Sequence, residues 1–339
     1  MNKIPWQKIR GLTLRKILRK LLFPLMKYAV PILSPIWVYF FKFIADSGVG
    51  TNVCLEHGYL PMPVHYYSPV PDLADLRSRR IWERKSELTG IAFQPDRQVQ
   101  FLRELGKKVG DECKWPSSPT DNPYDFYTEN GCFSFGCAAI VYSILRTYKP
   151  RKVIEIGSGN SSLVISSALA RNASESAPSE YCIIDPYPSQ KTEKGLSGSP
   201  RLIKERVELL DPSFFDQLGE NDVLFIDSAH TVRTGGDVNF LYLDVLPRLA
   251  SGVFVHSHDI PIPYEYPEIY FTNPSFRMFW TESYLLQAFL CLNTQYEIML
   301  AMSHIMTNEK DEFRKAFPHY DPEEHKATSG SFWIRRSSQ

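Results

Sequence analysis

The chain has 339 residues, 43% hydrophobic and 22% charged, with no formal net charge. That length and aromatic-rich composition fit one large folded domain with appendages and exclude a disordered or low-complexity chain. Residues 1–45 carry nine Lys or Arg and no Asp or Glu, leaving 29 of the 38 basic residues against all 38 acidic ones. A mildly acidic body behind a basic arm excludes a nucleic-acid binder by charge.

From Ile9 to Lys27 the apolar residues Leu14, Ile17, Leu18, Leu21, Leu22, Leu25 and Met26 fall at helical spacing, with Arg15, Lys16, Arg19, Lys20 and Lys27 opposite them. That pattern predicts a basic amphipathic helix. Two readings stay open: residues 9–27 lie on an anionic membrane surface, or they pack on the body or on a partner subunit of a homo-oligomer. Val30 to Ala45 is apolar and aromatic, but Pro31 and Pro35 interrupt it and Lys27 and Lys42 flank it, too short and broken for a membrane span. No small-residue cleavage site follows that would make it a signal peptide.

Residues 46–130 are irregular and rich in Pro and Tyr. Helices are expected over Arg80–Glu87 and Asp96–Val109, and loops over His65–Asp72 and Asp111–Tyr127. Such a segment acts as a lid supplying substrate contacts or as a cap over a sheet edge. From residue 131 on, strands and helices alternate. A helix over Cys137–Tyr148 leads into a strand at Val153–Ile156. Further strands are expected at Tyr181–Ile184, Leu202–Val207, Asp222–Ile226, Gly252–Val255, Tyr296–Ala301 and Gly330–Arg335. Helices are expected at Val238–Leu249 and Phe279–Leu292. This is a doubly wound, Rossmann-like α/β pattern, so the chain divides into an arm (1–45), a cap segment (46–130) and a nucleotide-type domain (131–339). The six cysteines form no C-x-x-C pair. Cys182 in a strand and Cys291 in a helix read as small buried hydrophobes of a reducing, cytoplasmic compartment.

The organising stretch is Val153-Ile154-Glu155-Ile156-Gly157-Ser158-Gly159-Asn160-Ser161-Ser162. It reads strand, tight turn, helix. Gly157 and Gly159 clear side chains from a ligand's approach, and the N–H groups at the helix start face that ligand. A nicotinamide dinucleotide fits such a turn, but Glu155 at the strand end would repel a pyrophosphate. It suits a cationic ligand such as S-adenosylmethionine. Asp185, 26 residues past Gly159, stands where an acid reaches ribose hydroxyls. Asp227 and Asp259 end two further strands at the edge where such sheets bind ligands. His230, three residues after Asp227, makes a His–carboxylate pair of the general-base kind. Two carboxylates with water make an oxygen site suited to Mg²⁺.

These motifs resemble class I S-adenosylmethionine-dependent methyltransferases. The resemblance lies in Val153–Val164, Ile184-Asp185-Pro186, Phe225-Ile226-Asp227-Ser228-Ala229-His230 and His256-Ser257-His258-Asp259-Ile260. It is nearest to the methyltransferase-24 family, related to macrolide-sugar O-methyltransferases and cephalosporin hydroxylase-like proteins. It runs from about Leu60 onward. It implies a seven-stranded, mostly parallel sheet with the last strand antiparallel. It implies cofactor contacts at Glu155, Gly157, Gly159, Ser161 and Asp185, a metal held by Asp227 and Asp259, and His230 as base with Asp227 beside it. The acceptor it implies is a sugar, a glycan or another small hydroxylated molecule, with His258, Tyr264 and Tyr67 as candidate contacts. Asn160 departs from an aromatic and Cys137 from an Asp that members often carry there. The rival readings are a nicotinamide-dependent oxidoreductase and a non-catalytic, membrane-associated scaffold.

Overall fold

The computed structural model describes residues 12–273 and 277–337. The chain splits into two units, residues 1–79 and 80–339. The boundary therefore falls at Arg79 and not at the expected positions 45 and 130, and most of the expected cap segment belongs to the second unit.

In the first unit, one helix, α1, runs Leu12–Ser47 with Pro24, Pro31 and Pro35 inside it. The expected interruption at Pro31 and Pro35 is absent. Residues 9–11 of the expected amphipathic stretch lie outside the described residues. Short helices follow at Thr51–Glu56 and Leu73–Ser78, the latter capped by Asp72, whose carboxylate accepts from the Ala74 and Asp75 amides.

The second unit is built on a seven-stranded sheet: β1 Lys152–Ile156, β2 Glu180–Ile184, β3 Arg201–Ile203, β4 Val223–Ile226, β5 Phe254–Ser257, β6 Tyr296–Ala301 and β7 Phe332–Arg336. The order is β3-β2-β1-β4-β5-β7-β6. The first five strands pair in parallel, and β7 runs antiparallel between β5 and β6. The order reverses between β1 and β4, so a crevice opens beyond their carboxyl ends.

Alternation along each strand builds two cores. Val153, Ile183, Val223, Phe225 and Trp333 pack against α2 (Pro95–Val109), α3 (Phe135–Tyr148) and α4 (Asn160–Ser174). Ile154, Ile156, Ile184, Leu224, Ile226 and Val255 pack on the opposite face against Leu241, Val245 and α5 (Glu282–Leu290). The strands are apolar on both faces, as a covered parallel sheet requires.

Some elements differ from expectation. Arg80–Glu87 holds only a single 3₁₀ turn, Ile81–Glu83. The helix expected over Val238–Leu249 is a short α turn, a π-type stretch Phe240–Val245, and a 3₁₀ turn Leu246–Arg248 with Pro247 near its start. Cys291 is exposed at the end of α5 and Cys182 is only partly buried, so neither is the buried hydrophobe expected.

Candidate active site

Gly157 takes a left-handed backbone (φ 82°), and a Cβ there would stand 2.3 Å from the Asp227 carbonyl oxygen. Only glycine lets the β1 turn pass this close to the end of β4. A Cβ on Gly159 would meet nothing within 4 Å, so the turn faces open space. Beside the turn is a cavity of about 470 Å³ lined by Gly157, Asp185, Tyr187, Arg206, Asp227 and Arg233, among others; Gly159 is not on its wall. Asp185 is held in place from both sides: Ser158 Oγ donates to Oδ2, and the Tyr187 amide donates to Oδ1 at 2.7 Å. The turn, the start of α4 and an oriented carboxylate at the end of β2 fit a nucleoside with vicinal hydroxyls, such as S-adenosylmethionine.

Glu155 and Ser161 do not reach this cavity. Glu155 is fully buried on the opposite sheet face, beside Val153. Ser161 Oγ donates to it at 2.7 Å and Ser162 Oγ at 2.9 Å, and the Tyr181 hydroxyl completes the set. The acid anchors the start of α4 from below and is on the wall of neither cavity. Burial pushes its carboxyl up to about 7, against the three hydrogen bonds that stabilise the charge.

The second group of residues lies at the ends of β4 and β5. His230 Nε2 is 3.2 Å from Asp227 Oδ1 and 3.7 Å from Asp259 Oδ2. His230 and Asp259 are both non-glycine residues in left-handed backbone (φ 57° and 55°). Such strain gathers where structure around a site enforces it. Gly330 permits the approach on Asp259: a Cβ there would lie 2.8 Å from the Asp259 Cα, and the Gly330 carbonyl accepts from the Ile260 amide. One ligand atom from each of Asp227, His230 and Asp259 falls within 4.8 Å of the others. The two carboxylates suit a small divalent cation such as Mg²⁺.

The residue that sequence reasoning missed is Glu282, at the first turn of α5 and fully buried. Its carboxylate accepts from His230 Nδ1 at 2.7 Å, from Ser228 Oγ at 2.9 Å and from the Tyr242 hydroxyl at 2.9 Å. The amides of Thr281 and Glu282 also bond the His230 carbonyl. The Nδ1 bond fixes the ring so that Nε2 faces Asp227 and Asp259, the arrangement of a carboxylate–histidine pair behind a reactive nitrogen. Tyr242 sits on the π-type stretch, a distortion that often marks functional sites. The only available signal was an acid just before the apolar run of α5, which reads as an ordinary helix start.

The charge balance follows. Burial pulls His230 down, but the hydrogen bonds and charges of Asp227 and Glu282 outweigh it and hold the ring up at about 10. Burial likewise opposes the Asp227 charge, and His258 and His230 reverse it, bringing the carboxyl down to about 2.

The remaining candidates fall elsewhere. His258 is buried with Nδ1 3.4 Å from Asp259 Oδ2 and 3.7 Å from Asp227 Oδ1, its ring stacked on Phe133; like His230 it lines neither cavity itself and reaches them through the two acids. His256 lies beneath, stacked 3.9 Å from Phe225 and bonded to Ser331 Oγ. Tyr264 accepts from Asn308 and lines neither cavity, whereas Tyr266 and Tyr270 line the second one. Tyr67 belongs to the first unit, exposed and edge-on to Tyr66. Cys137 is buried, with Sγ 3.1 Å from Ser329 Oγ. Burial pushes its thiol up, but the hydrogen bond and charge of His258 bring it down to about 6.

The second cavity, about 230 Å³, opens on the far side of Asp259. Phe133, Tyr266 and Tyr270 give it aromatic walls, and Ser134, Ser303 and Thr328 give it hydroxyls; no Lys or Arg lines it. Thr128 Oγ1, on its wall, is buried and has no hydrogen-bond partner.

Fold and site together define a Rossmann-like domain with a nucleoside-sized cavity at the carboxyl ends of its central strands. The profile of the methyltransferase-24 family, described as a methyltransferase domain, matches residues 154–260. An uncharacterised protein of Archaeoglobus fulgidus is 31% identical over 195 residues, covering 55% of this chain and 87% of that protein. The O-methyltransferase from Bacillus cereus in complex with SAH is 11% identical, covering 70% of this chain and 91% of that one, with a TM-score of 0.36. A likely methyl transferase from Burkholderia thailandensis, bound to S-adenosyl-homocysteine, is 13% identical, covering 71% and 94%, with a TM-score of 0.30. Both structural likenesses are loose. Residues 154–260 form a methyltransferase domain of the methyltransferase-24 family, of the class I S-adenosylmethionine-dependent kind. The oxidoreductase reading falls with that assignment.

Proposed function

We propose that the protein methylates a hydroxyl oxygen of a small, uncharged, hydroxyl-rich acceptor, such as a sugar residue, with His230 as the proton acceptor. The observation that carries this reading is the position of the Asp227–His230–Asp259 cluster. Asp227 lines the nucleoside cavity and Asp259 lines the smaller aromatic one, so the cluster stands where methyl donor and acceptor meet.

In the reaction the hydroxyl oxygen bonds the methyl carbon as the carbon–sulfur bond breaks, and the hydroxyl proton leaves to His230 Nε2. An alcohol is a poor nucleophile at neutral pH, so its proton must be taken as the new bond forms. As it stands His230 is held protonated up to about 10; a cationic methyl donor beside it, and a divalent ion on Asp227 and Asp259, would disfavour that proton and free Nε2 to act as the base. Glu282 on Nδ1 keeps the lone pair of Nε2 turned toward the acceptor. Asp227 and Asp259 would hold a divalent ion such as Mg²⁺, which when bound polarises the acceptor hydroxyl.

The aromatic walls and hydroxyl groups of the second cavity suit a sugar ring, and the unpaired Thr128 hydroxyl offers it a hydrogen bond. Without Lys or Arg on its walls, the cavity favours a neutral acceptor over an acidic one. At about 230 Å³ it is smaller than the ~300–1,000 Å³ of most ligand clefts. It takes one ring-sized moiety, which can be the end of a longer glycan.

The test is labelled methyl transfer from S-adenosylmethionine to matched neutral and acidic sugars, with and without a chelator. Alkali-stable label on a neutral sugar is expected. Label on nitrogen only, or on the acidic sugars alone, would sink the reading. Tight S-adenosylhomocysteine binding with no transfer to any acceptor would favour the scaffold. Transfer unaffected by the chelator would remove the metal and keep the base.

A further inference from the structure

We propose that Met26–Ser47 is embedded in the hydrocarbon core of a lipid bilayer, making this chain an integral membrane protein and not one held at the surface by charge. Met26–Ser47 is 22 residues long and none of it is buried. At about 1.5 Å per residue it is roughly 33 Å long, matching the ~30 Å apolar thickness of a bilayer. Between Lys27 and Lys42 every residue but Ser34 is apolar, aromatic or proline. Ser34 turns its hydroxyl back onto the Pro31 carbonyl.

The helix therefore has no polar face. Tyr28, Ile32, Ile36, Trp37, Tyr39 and Phe40 are all more than half exposed and spread around its circumference. A helix lying in the membrane plane keeps one polar face in water. One that is apolar on all sides is stable only when surrounded.

Two further observations choose lipid as the surrounding. First, Pro31 and Pro35 each remove a helix hydrogen bond, yet the helix runs on through both. In water the freed carbonyls would favour a break. In hydrocarbon an opened backbone has no partner, and prolines are correspondingly more frequent in spanning helices than in soluble ones. Second, the charges sit at the ends. Seven Lys and Arg lie within residues 1–25; inside the segment Lys27 stands at one end and Lys42 and Asp46 near the other, and the lysine side chains are long enough to snorkel to the headgroups. The basic residues complement anionic lipid on one side of the stretch, and the apolar stretch supplies the anchor.

The experiment dilutes the full-length protein from detergent into vesicles of phosphatidylcholine alone and of phosphatidylcholine with phosphatidylglycerol, then floats them. The expected result is binding to both, persisting in about 1 M sodium chloride, where surface attraction is screened, and in alkaline carbonate. Ile36→Lys with Phe40→Lys should cut the vesicle-bound fraction by about tenfold or more, since a lysine at a helix centre strongly disfavours insertion. S-adenosylhomocysteine binding by the same double variant should be unchanged, which shows that the rest of the chain is folded. Binding only to the anionic vesicles with release by salt would overturn the proposal in favour of a surface helix. Failure to bind either vesicle, with a concentration-dependent dimer that the double variant abolishes, would overturn it in favour of a second copy of the chain.

Discussion

Two acidic residues at adjacent strand ends, Glu155 on β1 and Asp227 on β4, look alike in the sequence and do opposite things. Glu155 is the last residue but one of β1 and Asp227 follows the last residue of β4, both beside the glycine turn. Glu155 is fully buried, with three hydroxyls of its own chain on its two oxygens. Asp227 keeps a third of its side chain accessible and shares a cavity wall with Gly157 and Asp185. The difference is one residue of strand phase. Glu155 follows Val153 onto the face covered by α4, whereas Asp227 lies just past the last residue of its strand, where the chain turns outward. Position along a motif does not make an acid functional. An acid whose hydrogen-bonding capacity the fold has left open to a cavity is available for function; one whose capacity is filled holds structure.

The comparison breaks most sharply at His230. His230→Ala removes the imidazole nitrogen 3.2 Å from Asp227 Oδ1, and turnover should fall on the order of 10²–10⁴-fold, as for loss of a general base. Calorimetry should find S-adenosylhomocysteine binding nearly unchanged. A comparable loss of nucleoside affinity would mean that the cluster holds the cofactor, and the contrast with Glu155 would collapse.

Glu282 sharpens the same comparison, because it is as buried as Glu155 yet serves the reactive histidine. Glu282→Gln keeps the shape but weakens the bond to Nδ1 and unsettles the ring. Loss of such a partner behind a reactive group typically costs ~10–100-fold. The cost should fall on kcat, with the KM for S-adenosylmethionine unchanged. Ring ¹⁵N shifts of His230 should report a changed tautomer mixture. Unchanged shifts together with a loss of thermal stability would make Glu282 purely structural.

Much of this was legible in the sequence. The glycine turn, Asp185, and the pairing of Asp227 with His230 followed from strand ends and spacing. Residues beside a strand end must gather at one edge of a parallel sheet. What stayed hidden was hidden for physical reasons. Glu282 lies 52 residues beyond His230. Only the packing of α5 against the sheet brings them together. Spacing could not tell Tyr264 from Tyr266 and Tyr270, because which ring faces a cavity depends on the irregular path after β5. Glu155 was read as a ligand contact from its charge type alone, without the strand phase that buries it. Pro31 and Pro35 of α1 were read with the rules of water-exposed helices, where they end an element. The structure carries the helix through them.

The smallest effect concerns Glu155 itself. Burial raises its carboxyl to about 7 in the folded protein, above the ordinary glutamate value near 4.5. Between those two values the folded state binds a proton that the unfolded state has released. By linkage, the stability from the protonated acid is fully present below about pH 4.5 and is lost as pH rises through about 7. Glu155→Gln stays uncharged throughout while keeping an oxygen for Ser161 or Ser162. The variant should therefore lose this component of the pH dependence. Relative to the parent, its melting temperature should rise on going from pH 5 to pH 8, by a few degrees. Turnover at neutral pH should change by less than about tenfold, since the residue touches neither cavity. A His230-sized loss of activity in a well-folded Glu155→Gln protein would place the acid back at the ligand and undo the distinction drawn from its burial.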